Sequence, residues 1–351
     1  MANVILDEIR SKSISPYCRL SDRGLEAVFA GFFDIIRLKP GETLALGTHA
    51  HRYASVIRGA ITVDGANNRN EGKRFDAAAS AIGPLVLSQD EGDIRLRALE
   101  PTLLLSGDGD VIDDIVSIDS LVTERGIDLD IVQLILMRQS KGFAKLPSDA
   151  LVNVYEKMVP ITVEAGENVI RQDMKGDNFY FLRHGCAEVW REELEDDEPR
   201  HVATLGTGDC FGEEALILGG ARNATVRMVT PGELLSLDGD SYNELVARPT
   251  VARISSEEAK QKIASGAHLV DVRYQDEWDD GHLPGAVHIP LSALRARAGE
   301  VTPAREVVVY CRSGRRSQVG ALLMAQSGFT AYSMDGGING WTDEIVRPNQ
   351  Q

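Results

Sequence analysis

Cysteine is scarce in this chain of 351 residues: its four copies, Cys18, Cys186, Cys210 and Cys311, stand far apart with no Cys-x-x-Cys pair among them. That spacing argues against a disulfide framework and a structural zinc site, so no metal is expected and a reducing compartment fits. Positive charge is also short. The 37 Lys and Arg against 53 Asp and Glu leave a formal net charge of −16. Such a field repels polyphosphate backbones unless a local basic face overrides it, and the sequence shows no such face, so nucleic acid is not an expected partner. No apolar run approaches the roughly 20 residues of a membrane span. The opening segment, Met1 to Arg10, lacks a basic leader, a long apolar stretch and an Ala-x-Ala cleavage site. These absences lead to the expectation of no membrane partner and a cytoplasmic location.

The length implies two or three domains, and 43% apolar with 26% charged residues is ordinary for folded globular domains. A weak internal repeat organises the first two thirds. Residues 35–44 followed by 56–63 are similar to residues 161–170 followed by 181–189; Gly41 and Gly59 are 18 apart in the first copy, Gly166 and Gly185 are 19 apart in the second. Short alternating apolar segments punctuated by glycine turns predict an antiparallel β-roll in each copy. Helices are expected before each roll, over residues 21–32 and 148–158, with Ser21 and Ser148 as N-caps. A helical stretch is expected over 110–139, where Ile112, Ile115, Ile118 and Val122 recur at helical spacing. A short helix around residues 241–246 ends before Pro249.

From Val251 strands alternate with helices. Ser255 and Glu258 form a capping box, residues 268–273 read as a buried strand, and residues 307–310 as a second strand running straight into Cys311, with a helix over 317–326. This alternation implies a largely parallel sheet with helices on both faces and chemistry at the carboxyl ends of its strands. The expected fold class is therefore multidomain, α+β then α/β, divided as residues 1–143, 144–249 and 251–351.

The loop Cys311-Arg312-Ser313-Gly314-Arg315-Arg316-Ser317 carries the strongest chemical signal. A strand that ends in a cysteine and turns at once into a helix aims backbone N–H groups and the helix dipole at the sulfur. Gly314 permits the tight loop, while Arg312, Arg315 and Arg316 favour a thiolate over the free thiol, whose pKa is about 8.5. With Asp271-Val272-Arg273, Glu277-Trp278, residues 281–290 and residues 335–341, this loop resembles the rhodanese family, whose cysteine carries a persulfide. The resemblance spans residues 251–351. It implies a mainly structural part for Asp271, Arg273 and His282. Phosphatases of this fold place an arginine at the sixth position after the cysteine; here Arg316 is at the fifth and Ser317 at the sixth, which favours sulfur transfer.

Residues 211–226 of the second roll look like the phosphate-binding cassette of cyclic-nucleotide-binding domains. A cyclic nucleotide needs an arginine for its phosphate, backbone N–H groups to share the charge and a carboxylate to accept a ribose hydroxyl. The resemblance implies Arg222, the backbone from Gly212 through Glu214 to Ala215, and Glu213 for those roles. Asn223 follows the arginine and leaves cyclic AMP and cyclic GMP both open. The corresponding segment of the first roll, Ser80 to Gln89, has neither the Gly-Glu pair nor the arginine. That roll reads as a degenerate copy serving as scaffold or dimerisation element, a homodimer being one outcome.

Together these resemblances imply a sulfurtransferase that takes sulfane sulfur from a small-molecule donor onto Cys311 and passes it to a thiol or cyanide, with cyclic nucleotide as regulatory ligand. A non-catalytic sensor of nucleotide and sulfide or redox state is the alternative. The rhodanese segment occupies the place of the helix-turn-helix in regulators of the catabolite-activator type. Little helix remains before it to close the nucleotide pocket, so the rhodanese segment or a neighbouring chain is expected to supply the lid.

Overall fold

A computed structural model describes residues 2–45, 51–65, 70–88, 94–192, 198–301 and 306–347. Of the segments read from the sequence, Gln89 lies outside the described residues. The chain divides into two compact units, Met1–Ile135 and Leu136–Gln351. Among the described residues no helix is long and apolar enough to cross a membrane.

The repeated sequence pattern becomes a repeated topology. In the first unit, strands Phe33–Leu38, Thr102–Asp108, His51–Arg58 and Leu85–Ser88 pair in that order, and Thr43–Ala45, Arg95–Ala98, Ala60–Asp64 and Arg74–Asp76 form a second antiparallel sheet. The second unit repeats both orders: Val159–Val163, Gly232–Asp238, Asn178–His184 and Cys210–Phe211, then Asn168–Ile170, Thr225–Met228, Cys186–Arg191 and Arg200–Gly206. The four repeat glycines explain why the likeness is legible. Gly41, Gly59, Gly166 and Gly185 all have positive φ, from 79° to 114°, a region that side chains disfavour. Inward-facing apolar residues fill each roll, with Val56, Ile61, Leu96 and Leu104 in the first and Leu182, Ala187, Met228 and Leu234 in the second.

The C-terminal part holds five parallel strands. Glu306–Tyr310 is central, between His268–Asp271 and Thr330–Met334; Val287–His288 and Ala252–Ile254 form the edges. The central strand is buried from Val307 to Tyr310, as its uninterrupted apolar run requires. Helices Ser256–Ala264 and Arg315–Gln326 both pack against it. The Ser255–Glu258 capping box is present.

Several local expectations change. Ser21 caps the helix Asp22–Phe29 by accepting from the Gly24 N–H, but Ser148 is already helical, behind Pro147, and its hydroxyl accepts from Arg138 Nη2 at 3.1 Å. The stretch over 110–139 is two helices, Gly109–Arg125 and Ile131–Gln139, because Gly126 adopts the left-handed conformation and caps the first. Pro249 does not end the helical segment: Gly239–Tyr242, Asn243–Ala247 and Arg248–Thr250 run on without a break, with Ala247 and Arg248 both helical. The strand expected over 268–273 stops at Asp271, whose carboxylate turns the chain by accepting from the Arg273 N–H at 2.9 Å. The helix after Cys311 begins at Arg315, two residues early, placing Arg315 and Arg316 in its first turn.

Candidate functional sites

Cys311 lies at the carboxyl end of the central strand with 1% of its surface exposed. The Gly314 N–H donates to Sγ at 3.2 Å, and Ser317 Oγ lies 3.8 Å from the sulfur. Ser317 is itself fixed: its hydroxyl donates to the Gly314 carbonyl at 3.0 Å and meets Ser333 Oγ at 2.9 Å. Gly314, at φ 93°, lets the loop fold back on the sulfur. The segment after the last strand braces the loop, since the Ile338 N–H donates to the Cys311 carbonyl at 2.8 Å. A Cβ on Gly337 would stand 2.2 Å from that carbonyl, so no side chain fits there. The sulfur thus sits buried in a closed loop, met by one backbone N–H and one hydroxyl.

The arginines of the loop divide into two kinds. Arg312, Ser313 and Arg315 are exposed. Arg316 is half-buried and engaged, its Nη1 and Nη2 donating to Glu277 at 2.6 and 2.7 Å, with its Cζ 5.0 Å from the centre of the Tyr274 ring. The Arg316 guanidinium holds the Glu277 carboxyl below the usual carboxylate range. A folded-state pKa below the unfolded value contributes stability above that unfolded value, near 4.5, which is lost as pH falls through the lower folded one. Glu277→Gln is therefore expected to flatten the acid limb of the stability profile below about pH 4.5. Urea midpoints measured between neutral and acid pH check this; an unchanged acid limb would show that the pair contributes nothing.

Asp271 and Arg273 pair at the end of the strand His268–Asp271, and His282 follows Gly281, whose carbonyl Arg273 binds. Asp271 is fully buried and Arg273 nearly so; Arg273 Nη2 donates to Asp271 Oδ2 at 2.7 Å and to the Gly281 carbonyl at 2.8 Å. The His282 ring stacks on Trp278 at 3.5 Å, with His288 stacked on the same indole at 4.8 Å. Both oxygens of Asp271 accept from Arg273, whose Nε and Nη2 are spent on Asp271 and the Gly281 carbonyl.

In the second roll, Gly212, at φ 95°, opens the short helix Glu213–Leu218. Arg222 is 5% exposed, and its Nη1 and Nη2 donate to the carbonyls of Gly212 and Asn178, each at 2.6 Å. Burial pushes this guanidinium below its ordinary value, although Asp177 and Glu213 oppose that shift. With Asp177 Oδ1 also 3.5 Å from Nη2, three protein groups hold this guanidinium, fewer than its five donors. Asn223 Nδ2 donates to Glu214, whose carboxyl is pushed up by burial and then by the charge of Glu213. Glu213 and Ala215 are buried.

These residues line a cavity of about 560 Å³ that also takes in Ile170, Val189, Leu205 and Phe211. Its mixture of apolar walls and a few converging polar groups suits a small molecule. The cavity wall is not drawn from the roll alone: Ser292, Arg295 and Ala296 complete it. No motif around Arg295 marks it, because its contact with Glu213 spans 82 positions of sequence. Glu277 was visible as part of a motif but not as the partner of Arg316, 39 positions away.

Two family models match the chain. The family model for the cyclic nucleotide-binding domain matches residues 160–248, and that for the rhodanese-like domain matches residues 255–344. A protein of Bacillus subtilis (strain 168) named "Putative sulfur carrier protein YrkF" is 38% identical over 96 residues, 26% of this chain and 52% of that protein, so the chain spans about half the length of this relative. Among solved structures, the regulatory domain of Toxoplasma gondii PKA with cAMP is 16% identical at a TM-score of 0.33, covering 75% of this chain and 96% of that one. The Thermus thermophilus catabolite activator protein is 27% identical at a TM-score of 0.29, covering 31% and 51%. The chain carries a cyclic nucleotide-binding domain over residues 160–248 and a C-terminal rhodanese-like domain over residues 255–344.

Proposed function

We propose that this protein is a sulfurtransferase working through a persulfide on Cys311, regulated by a cyclic nucleotide bound in the second roll. The observation that carries the reading is the sulfur of Cys311 receiving the Gly314 N–H at 3.2 Å in a loop that also carries the exposed Arg312 and Arg315. A dianionic donor such as thiosulfate is drawn to those guanidinium groups. The Cys311 thiolate attacks the outer sulfur, a new S–S bond forms, and the old one breaks with its electron pair leaving on sulfite. The resulting persulfide anion stays in the cradle. Cyanide or a thiolate then attacks the terminal sulfur, and the electron pair of the broken bond returns to Cys311. Ser313 and Gly314 shape the loop, and Arg316, tied to Glu277, anchors its helical end.

In the second roll, Arg222 and the backbone of Gly212 to Ala215 are proposed to take the cyclic phosphate, with Glu213 accepting a ribose hydroxyl and Asn223 holding Glu214 beside them. The helix Glu213–Leu218 packs on Arg315–Gln326, the helix that starts in the Cys311 loop, which supports a mechanical route between the two sites. Protein treated with thiosulfate and desalted is expected to gain the mass of one sulfur atom and to lose it to cyanide as thiocyanate over many cycles. A single loading without turnover would support the sensor instead. Saturating cyclic AMP or cyclic GMP is expected to change the kinetics of transfer; identical kinetics with both would sink the regulatory part.

A further inference from the structure

The carboxylate assigned to the ribose is held by the other domain. Glu213 is 3% exposed, and one of its oxygens forms an ion pair with Arg295, which projects from the short helix Leu294–Arg297 of the rhodanese-like domain. Arg295 Nε also lies 3.9 Å from Glu214 Oε1. The second oxygen of Glu213, Oε2, is buried with no hydrogen-bond partner. A buried carboxylate oxygen without a donor is an unmet acceptor in a cavity wall, and a ligand hydroxyl is the group that satisfies it.

We propose that Arg295 is a positioning residue of the nucleotide site: it orients Glu213 through one oxygen and leaves Oε2 to accept the 2′-hydroxyl of a cyclic ribonucleotide. The inference rests on the nucleotide reading above and adds that the pocket is complete only while the rhodanese-like domain is docked on the cassette. Docking and nucleotide then favour each other, since linkage between binding equilibria is reciprocal. Arg295 is half exposed on its solvent side, so the ion pair can open without unfolding either domain.

Titration calorimetry of the full chain tests this, using cyclic AMP, cyclic GMP and their 2′-deoxy analogues against wild type, Arg295→Gln and Arg295→Lys. Arg295→Gln is expected to weaken the ribonucleotide roughly tenfold, within the usual range of coupling between sites, and to leave the 2′-deoxy analogue unchanged. Arg295→Lys, which keeps the charge, should recover part of the loss. Equal or tighter ribonucleotide binding by Arg295→Gln overturns the proposal, as does an equal loss for both kinds of ligand. Failure of the wild type to bind any of the four overturns the nucleotide reading itself and this inference with it, a result distinct from binding that ignores Arg295.

Discussion

Replacing Cys311 by serine is expected to reduce thiosulfate-dependent sulfur transfer by at least about 10³-fold, the scale on which enzymes lose rate when a nucleophile is removed. A serine hydroxyl is not ionised near neutral pH, and the persulfide it would have to form does not exist on oxygen. The substitution is nearly isosteric, and the Gly314 N–H that donates to Sγ can donate to Oγ, so the cradle keeps its shape. The check is thiocyanate production beside a melting curve: rate lost with melting unchanged assigns the loss to chemistry. Mass spectrometry after thiosulfate gives a second readout, because the gain of one sulfur atom should vanish. Sulfur loading that persists in Cys311→Ser would move the carrier to Cys18, Cys186 or Cys210, and Cys210 is a poor candidate, since burial pushes its thiol up to about 12.

The second large effect is on stability. Arg273→Ala removes the partner of a carboxylate that is wholly buried, leaving Asp271 with a charge or a forced proton in an apolar setting. Breaking a buried pair on one side costs about 3–5 kcal/mol. Urea unfolding followed through Trp278 and Trp341, two of the three tryptophans and both in the rhodanese-like domain, should show a much earlier midpoint. Combining it with Asp271→Asn should cost less than the sum of the two single changes, because the two side chains form one unit. An additive result would mean that the pair contributes no coupling and that the loss comes from packing of the Arg273 stem against Tyr310, whose ring centre lies 5.6 Å from Cζ.

Local signals carried much of the architecture. The four turn glycines read as a repeat because a positive φ favours glycine, and the two rolls share one strand order. The run Val307 to Tyr310 ending in Cys311 was legible as a buried strand because a central parallel strand is apolar on both faces. Errors arose where a local preference was decided by a distant partner. Ser148 satisfies the usual N-cap chemistry, yet its hydroxyl serves Arg138 and the helix begins without it. Arg316 reads as one of three charges near the sulfur, but Glu277 also holds it, while Arg312 and Arg315 are exposed.

By itself, then, the sequence determined what is written in short spans: the duplicated rolls, the parallel sheet, the cysteine loop and the cassette, since each depends on residues close in the chain whose backbone geometry follows from glycine, periodicity and caps. Only the tertiary structure decided which charges face which. The pairing of Arg295 with Glu213, the tether between Arg316 and Glu277, and the packing of the cassette helix on the helix that opens at the Cys311 loop all join residues tens of positions apart. Such contacts leave no local pattern, because a side chain is selected there by the one partner that folding brings opposite it.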